Sequence, residues 1–217
     1  MTRTRIKICG ITREEDLEAV VAAGADALGF VFYAPSARCV TPQRAKQLVA
    51  RVPAFVKTVG LFVNEPAAAV AGVLDQVPLD LLQFHGDETP AYCAAFRRPW
   101  IKAARVKPGF DLLEYAAVFA GARGNTGLLL DAHVEGYGGG GQSFDWSLIP
   151  PSLPLPVILS GGLHPGNVGE AIRRVRPWAV DVSSGVEIAK GIKDMRKVTE
   201  FIAGVRDADA GHALPTT

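Results

Sequence analysis

Apolar residues along this chain come in short, nearly unbroken runs rather than in strict alternation. Eight runs of strand length stand out: RIKIC, DALGFVF, FVKTVGLFV, DLLQFH, PWIKAAR, GLLLDA, LPVILSG and WAVDVSS. A strand that is apolar at successive positions is buried on both faces, as in a parallel sheet covered by helices. Most intervals between the runs carry apolar positions at helical spacing instead. After the first run, Thr12 with Glu15 three residues on predicts a capping box. Leu17, Val20 and Val21 supply the apolar stripe and Gly24 the stop. TPQRAKQLVARV repeats the logic, with Thr41 as N-cap and Pro42 at the first helical position. The stretches after Glu65, Asp87, Gly109, Pro165 and Lys193 also read as helices.

Eight strand–helix units in 217 residues predict an α/β protein, a single closed (β/α)8 TIM barrel on the small side for that fold. A doubly wound open sheet is the alternative. No linker or composition break divides the chain, so residues 1–206 are expected to form one barrel domain and 207–217 (DADAGHALPTT) a frayed C-terminal tail.

Composition narrows the partners. Net charge is +1, too weak to indicate nucleic acid. No apolar run approaches the length of a membrane span, and no apolar h-region follows the basic residues at the start. Cys9, Cys39 and Cys93 are odd in number and widely spaced, which argues for reduced thiols in the cytoplasm rather than a disulfide framework or a zinc knuckle.

A barrel works at the C-terminal ends of its strands, so the residues just after each apolar run are the ones to read. ILSGGLHPGNV and AVDVSSGVE end the seventh and eighth runs. Small residues there let backbone N–H groups approach a phosphate, and a following helix adds its positive end. The plainer alternative is that these glycines only make turns. Gly138 to Gly141 form a glycine loop after the sixth run, read as a substrate-gated lid or as a flexible surface loop. Asp131 precedes that loop. Cys9 sits between a strand and a helix N-terminus, where a thiol gains thiolate character; a buried inert thiol is the alternative. His85 is an acid–base candidate or a loop-orienting group. Cys93 reads as structural, and no metal-ligand spacing is present.

Taken together, KICGIT, GFVFYAPSARCV, GLFVN, LLQFHGDE, LLLDA with GGGGQSFDW, VILSGGLHPGNV and AVDVSSGVE with KGIKD resemble the phosphoribosylanthranilate isomerase family of tryptophan biosynthesis, from about Arg5 to Phe201. The resemblance implies an isomerase on a (β/α)8 barrel that needs no cofactor. It would convert N-(5-phosphoribosyl)anthranilate to 1-(2-carboxyphenylamino)-1-deoxyribulose 5-phosphate, an Amadori rearrangement. It implies Cys9 as general base, Asp131 as general acid and Arg38 as the clamp on the anthranilate carboxylate. Phosphate would sit at Gly161, Gly162, Ser183, Ser184 and Gly185, with Gln83, His85 and Asp181 completing the substrate site. The expected partner is this phosphorylated small molecule, bound by a monomer, with a homodimer as the alternative. The chain departs from the family pattern at Gly140 and Gln142 in the glycine loop, at Lys190 where proline is common, and at Cys39 where an aromatic residue is frequent. Rivals are another phosphosugar barrel, an epimerase that would want a pair of aspartates or a metal set or an aldolase that would want a strand-end lysine, where Lys57 and Lys102 lie within strand-like runs; and a non-catalytic phosphate sensor, which would need neither Cys9 nor Asp131.

Overall fold

The computed structural model describes residues 3–132 and 143–211. The glycine loop, with Gly138 to Gly141 and Gln142, lies outside the described residues. Eight parallel strands close into a barrel in chain order: β1 (Arg5–Cys9), β2 (Ala27–Val31), β3 (Lys57–Phe62), β4 (Leu81–Phe84), β5 (Trp100–Val106), β6 (Asn125–Ala132), β7 (Val157–Leu159) and β8 (Ala179–Val182). Closure is made by β1 against β8, with Lys7 opposite Asp181. The open-sheet alternative is thereby excluded.

Among the described residues seven α-helices cover the barrel: α1 (Glu14–Ala23), α2 (Pro42–Val49), α3 (Ala67–Leu74), α4 (Pro90–Ala94), α5 (Leu112–Ala120), α6 (Val168–Val175) and α7 (Met195–Gly211). Between β6 and β7 the described residues form only a 3-10 turn, Trp146–Leu148. Alternate residues of each strand point outward into one large hydrophobic cluster under the helices. The inward residues Ile101, Ala103, Leu129, Ile158 and Ala179 pack as a separate cluster inside the barrel. That division is why the strands read as unbroken apolar runs.

Local chemistry follows the sequence in places. Thr41 caps α2 by accepting from the Arg44 N–H, and Gly24 ends α1 in the left-handed region at φ 101°. The predicted capping box of α1 is not formed. Its N-cap is Arg13, without a side-chain cap, because the Thr12 hydroxyl donates to the Gly191 carbonyl instead. Long-range pairing has won over the local motif. The helix read from Pro165 begins at Val168, after a turn in which Asn167 accepts from the His164 N–H and donates to the Gly162 carbonyl. After β8 comes a short hairpin, β9 (Glu187–Ala189) with β10 (Ile192–Lys193).

The frayed tail is corrected for residues 207–211. They continue α7, Ala208 is buried, and the Asp209 carboxylate accepts from the Thr4 N–H and hydroxyl at 2.8 and 2.7 Å. Two hydrogen bonds to the start of the chain hold a segment whose composition looks disordered.

Candidate active site

The C-terminal ends of the strands surround a cavity of about 420 Å³. Cys9 from β1, Gln83 from β4, Asp131 from β6 and Asp181 from β8 all reach it from the inward faces of their strands, and His85 reaches it just beyond the end of β4. Arg38, Gly161, Gly162, Ser183 and Ser184 line it from the loops. Gly185 is the exception among the expected residues. It packs beneath the β7 turn, where an added Cβ would lie 1.9 Å from the Leu163 carbonyl oxygen. A Gly185 side chain would therefore force the two turns apart, so its role is to let them touch.

Those two turns form one wall. Gly161 and Gly162 both have positive φ, 76° and 63°. Successive residues of that kind turn their N–H groups the same way, and neither group donates to any other among the described residues. Gly161 also lies against the acid candidate: a Cβ there would come 3.0 Å from Asp131 Oδ1.

Asp131 is held at both oxygens. Oδ1 accepts from the Ala132 N–H at 2.9 Å, and Oδ2 is 3.1 Å from His85 Nε2. Gln83 Nε2 lies 2.9 Å from His85 Nδ1. With the amide nitrogen donating, Nδ1 is the acceptor, the ring proton sits on Nε2, and that N–H donates to Asp131. In this arrangement Gln83, His85 and Asp131 form one hydrogen-bonded chain across the cavity.

Cys9 is buried, and Gly29 on β2 makes the space for it: a Cβ at Gly29 would stand 2.6 Å from the sulfur. The helix N-terminus expected to activate the thiol starts only at Glu14. The thiol is raised overall: burial pushes it up most, Lys7 pulls it part of the way back, Asp181 pushes with burial, and Lys193 pulls against it. Cys93, buried in α4, is pushed up to about 12 by burial and is structural. Cys39 is exposed beside the mouth.

Arg38 donates from Nε and Nη2 to the two oxygens of Glu187, at 2.8 and 2.7 Å. Lys193, buried beneath, reaches Glu187 at 2.9 Å and the Cys9 and Ser183 carbonyls at 2.6 and 3.2 Å. Burial works against the Glu187 carboxylate, but hydrogen bonds from Arg38 and the charge of Lys193 hold it below the usual range. The β9–β10 hairpin therefore fixes Arg38 by one edge of its guanidinium, Nε with Nη2. Lys190 of the same hairpin also lines the cavity.

Glu187, Lys193 and Lys7 were missed in the sequence. The first two sit in GVE and GIKD, which look like connecting sequence. Lys7 is visible only through its spacing: two residues before Cys9 on a strand, it shares the thiol's face.

The N-(5'phosphoribosyl)anthranilate (PRA) isomerase family model matches residues 6–204. The N-(5'-phosphoribosyl)anthranilate isomerase of Dechloromonas aromatica (strain RCB) is 63% identical over 207 residues, 95% of this chain and 98% of that one. A phosphoribosyl anthranilate isomerase crystallised with reduced 1-(o-carboxyphenylamino)-1-deoxyribulose 5-phosphate superposes with a TM-score of 0.81 at 41% identity, over 94% of this chain and 99% of that one. A structure of monomers generated from the dimeric Thermotoga maritima enzyme gives 0.81 at 39% identity, over the same shares. From residue 6 to residue 204, through every strand end described above, the chain belongs to the N-(5'-phosphoribosyl)anthranilate isomerase family.

Proposed function

We propose that this chain isomerises N-(5'-phosphoribosyl)anthranilate by paired acid and base catalysis, with Asp131 as acid and Cys9 as base. The observation that carries the reading is that these two side chains, from β6 and β1, enter one cavity whose wall between them is the β7 and β8 turns. Phosphate fits the turns, where Gly161, Gly162 and Ser184 line the cavity and the Ser183 hydroxyl is held by the Cys9 carbonyl at 3.0 Å. The anthranilate carboxylate fits the edge of Arg38 turned away from Glu187. Two anchors at the ends fix the ribose between acid and base.

The chemistry then runs in two proton transfers. Asp131 gives its proton to the ring oxygen, the bond from that oxygen to C1 breaks, and the nitrogen lone pair forms a C1–N double bond. The Cys9 thiolate takes the proton from C2, and the electrons of that bond move to give the enol-amine, which tautomerises to the ketose. His85 and the Ala132 N–H receive the charge left on Asp131.

One chain supplies every residue of this site, so a monomer suffices. Among the described residues no helix is long and apolar enough to cross a membrane. Free thiols at Cys9, Cys39 and Cys93 suit a reducing, cytoplasmic setting. Purified protein should abolish the fluorescence of the anthranilate conjugate without added metal or cofactor, and inorganic phosphate should compete weakly. A protein that binds the reduced product analogue but leaves the conjugate unchanged would support the sensor reading instead.

A further inference from the structure

Lys7 is an unusual neighbour for a catalytic thiol. It lies two residues before Cys9 on β1, so both side chains enter the barrel on the same face, Lys7 one layer deeper. Its side chain is 6% exposed, and its Nζ is 2.7 Å from Asp181 Oδ1, itself 6% exposed. A lysine inside a barrel loses most of its hydration, and a leucine would fill the layer at less expense. The other charged groups around the thiol are already committed. Lys193 is bonded to two carbonyls and Glu187, Arg38 is bonded to Glu187, and Asp181 faces Lys7 while accepting the Ser160 hydroxyl at 3.4 Å. From β2 the neighbour is Gly29, which has no charge. Asp131 and His85 approach from the β6 and β4 ends of the cavity.

The geometry points to Lys7 as the residue that makes Cys9 a base: its ammonium stabilises the thiolate from below, and Asp181, by sharing that ammonium, sets how strongly. The inference rests on Cys9 being the base. In balance, the thiol releases its proton to water, Lys7 keeps its own, and the thiolate is then free to take the C2 proton. Burial alone would leave the thiol protonated; Lys7 acts against it at the sulfur, where a helix N-terminus five residues on does not. Lys7 is a positioning residue, since it touches the base and not the substrate.

Two substitutions should move the thiol in opposite directions, which a merely structural role would not do. Lys7→Met removes the cation and should raise the Cys9 titration midpoint by about 1–3 pH units, the usual effect of a nearby opposite charge. Asp181→Asn leaves the ammonium undivided and should lower it. Lys7→Arg keeps a cation and should restore most of the parent midpoint. The readout is the rate of iodoacetamide alkylation against pH, taken as the difference between each protein and its Cys9→Ala counterpart. The acid limb of kcat/KM should follow the same midpoints. An unmoved midpoint in folded Lys7→Met, or shifts of the same sign in both variants, would overturn the inference. If Lys7→Met does not fold, Lys7→Gln decides in its place: a raised midpoint supports the inference, and an equal or lower one overturns it. The two claims fail separately. Midpoints that move as stated beside an active Cys9→Ala enzyme would uphold Lys7 and refute Cys9 as base; fixed midpoints beside an inactive Cys9→Ala would do the reverse.

Discussion

Gly29→Ala is a sharp test of how closely the thiol is packed. The added methyl carbon would stand 2.6 Å from Cys9 Sγ and 3.0 Å from Cys9 Cα. Unbonded heavy atoms settle at about 3.5–4.0 Å, so the sulfur must retreat by about 1 Å, and the strand must open slightly. Gly29 is not at positive φ, so alanine meets no backbone penalty there. It gains about 0.5–1 kcal/mol in chain entropy, set against about 1–3 kcal/mol for overpacking. The net loss of stability is therefore about 0–2.5 kcal/mol, and the variant should fold. A displacement of about 1 Å at a reacting atom lowers rate by about 10²-fold. Steady-state fluorescence of the anthranilate conjugate should show kcat down by that factor while KM changes little, because the phosphate and carboxylate anchors are untouched. Thermal unfolding run alongside guards against an unfolded variant. A folded Gly29→Ala enzyme with parent kcat would show that thiol position does not limit the reaction.

Other expectations follow from the same contacts. Asp131→Asn can keep only one of the two accepted hydrogen bonds and has no acidic proton, so kcat should fall by about 10²–10⁴; a change in KM alone would make Asp131 a binding residue. Arg38→Lys loses the forked grip on Glu187 and on a ligand carboxylate, and should weaken carboxylated ligands more than an analogue without that group, measured by calorimetry. Ser184→Ala should weaken phosphate binding by at most about 1.5–3 kcal/mol, whereas Gly162→Asp, which puts a like charge in the anion wall, should abolish it. Lys102 is fully buried, bonded to the Gly86 carbonyl at 2.6 Å and paired with Glu88 at 3.3 Å. Lys102→Met removes the buried cation and leaves the Glu88 carboxylate only its Asn64 and Gly86 N–H donors; it should cost about 3–5 kcal/mol, read from urea unfolding. Glu187 titrates below its usual range when folded. Its contribution to stability is thus complete above the ordinary glutamate value of about 4.3 and lost as pH falls below it; Glu187→Gln should flatten that part of the acid-unfolding curve.

Much of this was legible before folding was considered. Both-face burial wrote the strands as apolar runs, and the barrel puts everything after those runs at one mouth; that placed Cys9, Asp131 and the two small-residue turns together. Motifs whose partners are local held, such as Thr41 and Gly24. Those whose partners are distant did not. Thr12 gave up its cap for Gly191, 179 residues away, and Arg38 proved to be held by Glu187, 149 residues away. The same distance hid the support beneath the thiol. Lys7 meets Asp181 only because the barrel closes β1 onto β8, and no local pattern records closure. The tail misled for a related reason: its composition is polar and small, but Asp209 finds Thr4 at the other end of the chain.

The most direct test of the account is Cys9→Ala, assayed for turnover of the anthranilate conjugate and, separately, for binding of the reduced product analogue. The account predicts a fall in kcat of about 10²–10⁴ or more, the range for a lost general base, with the analogue bound nearly as tightly as by the parent. Turnover close to that of the parent enzyme would contradict it.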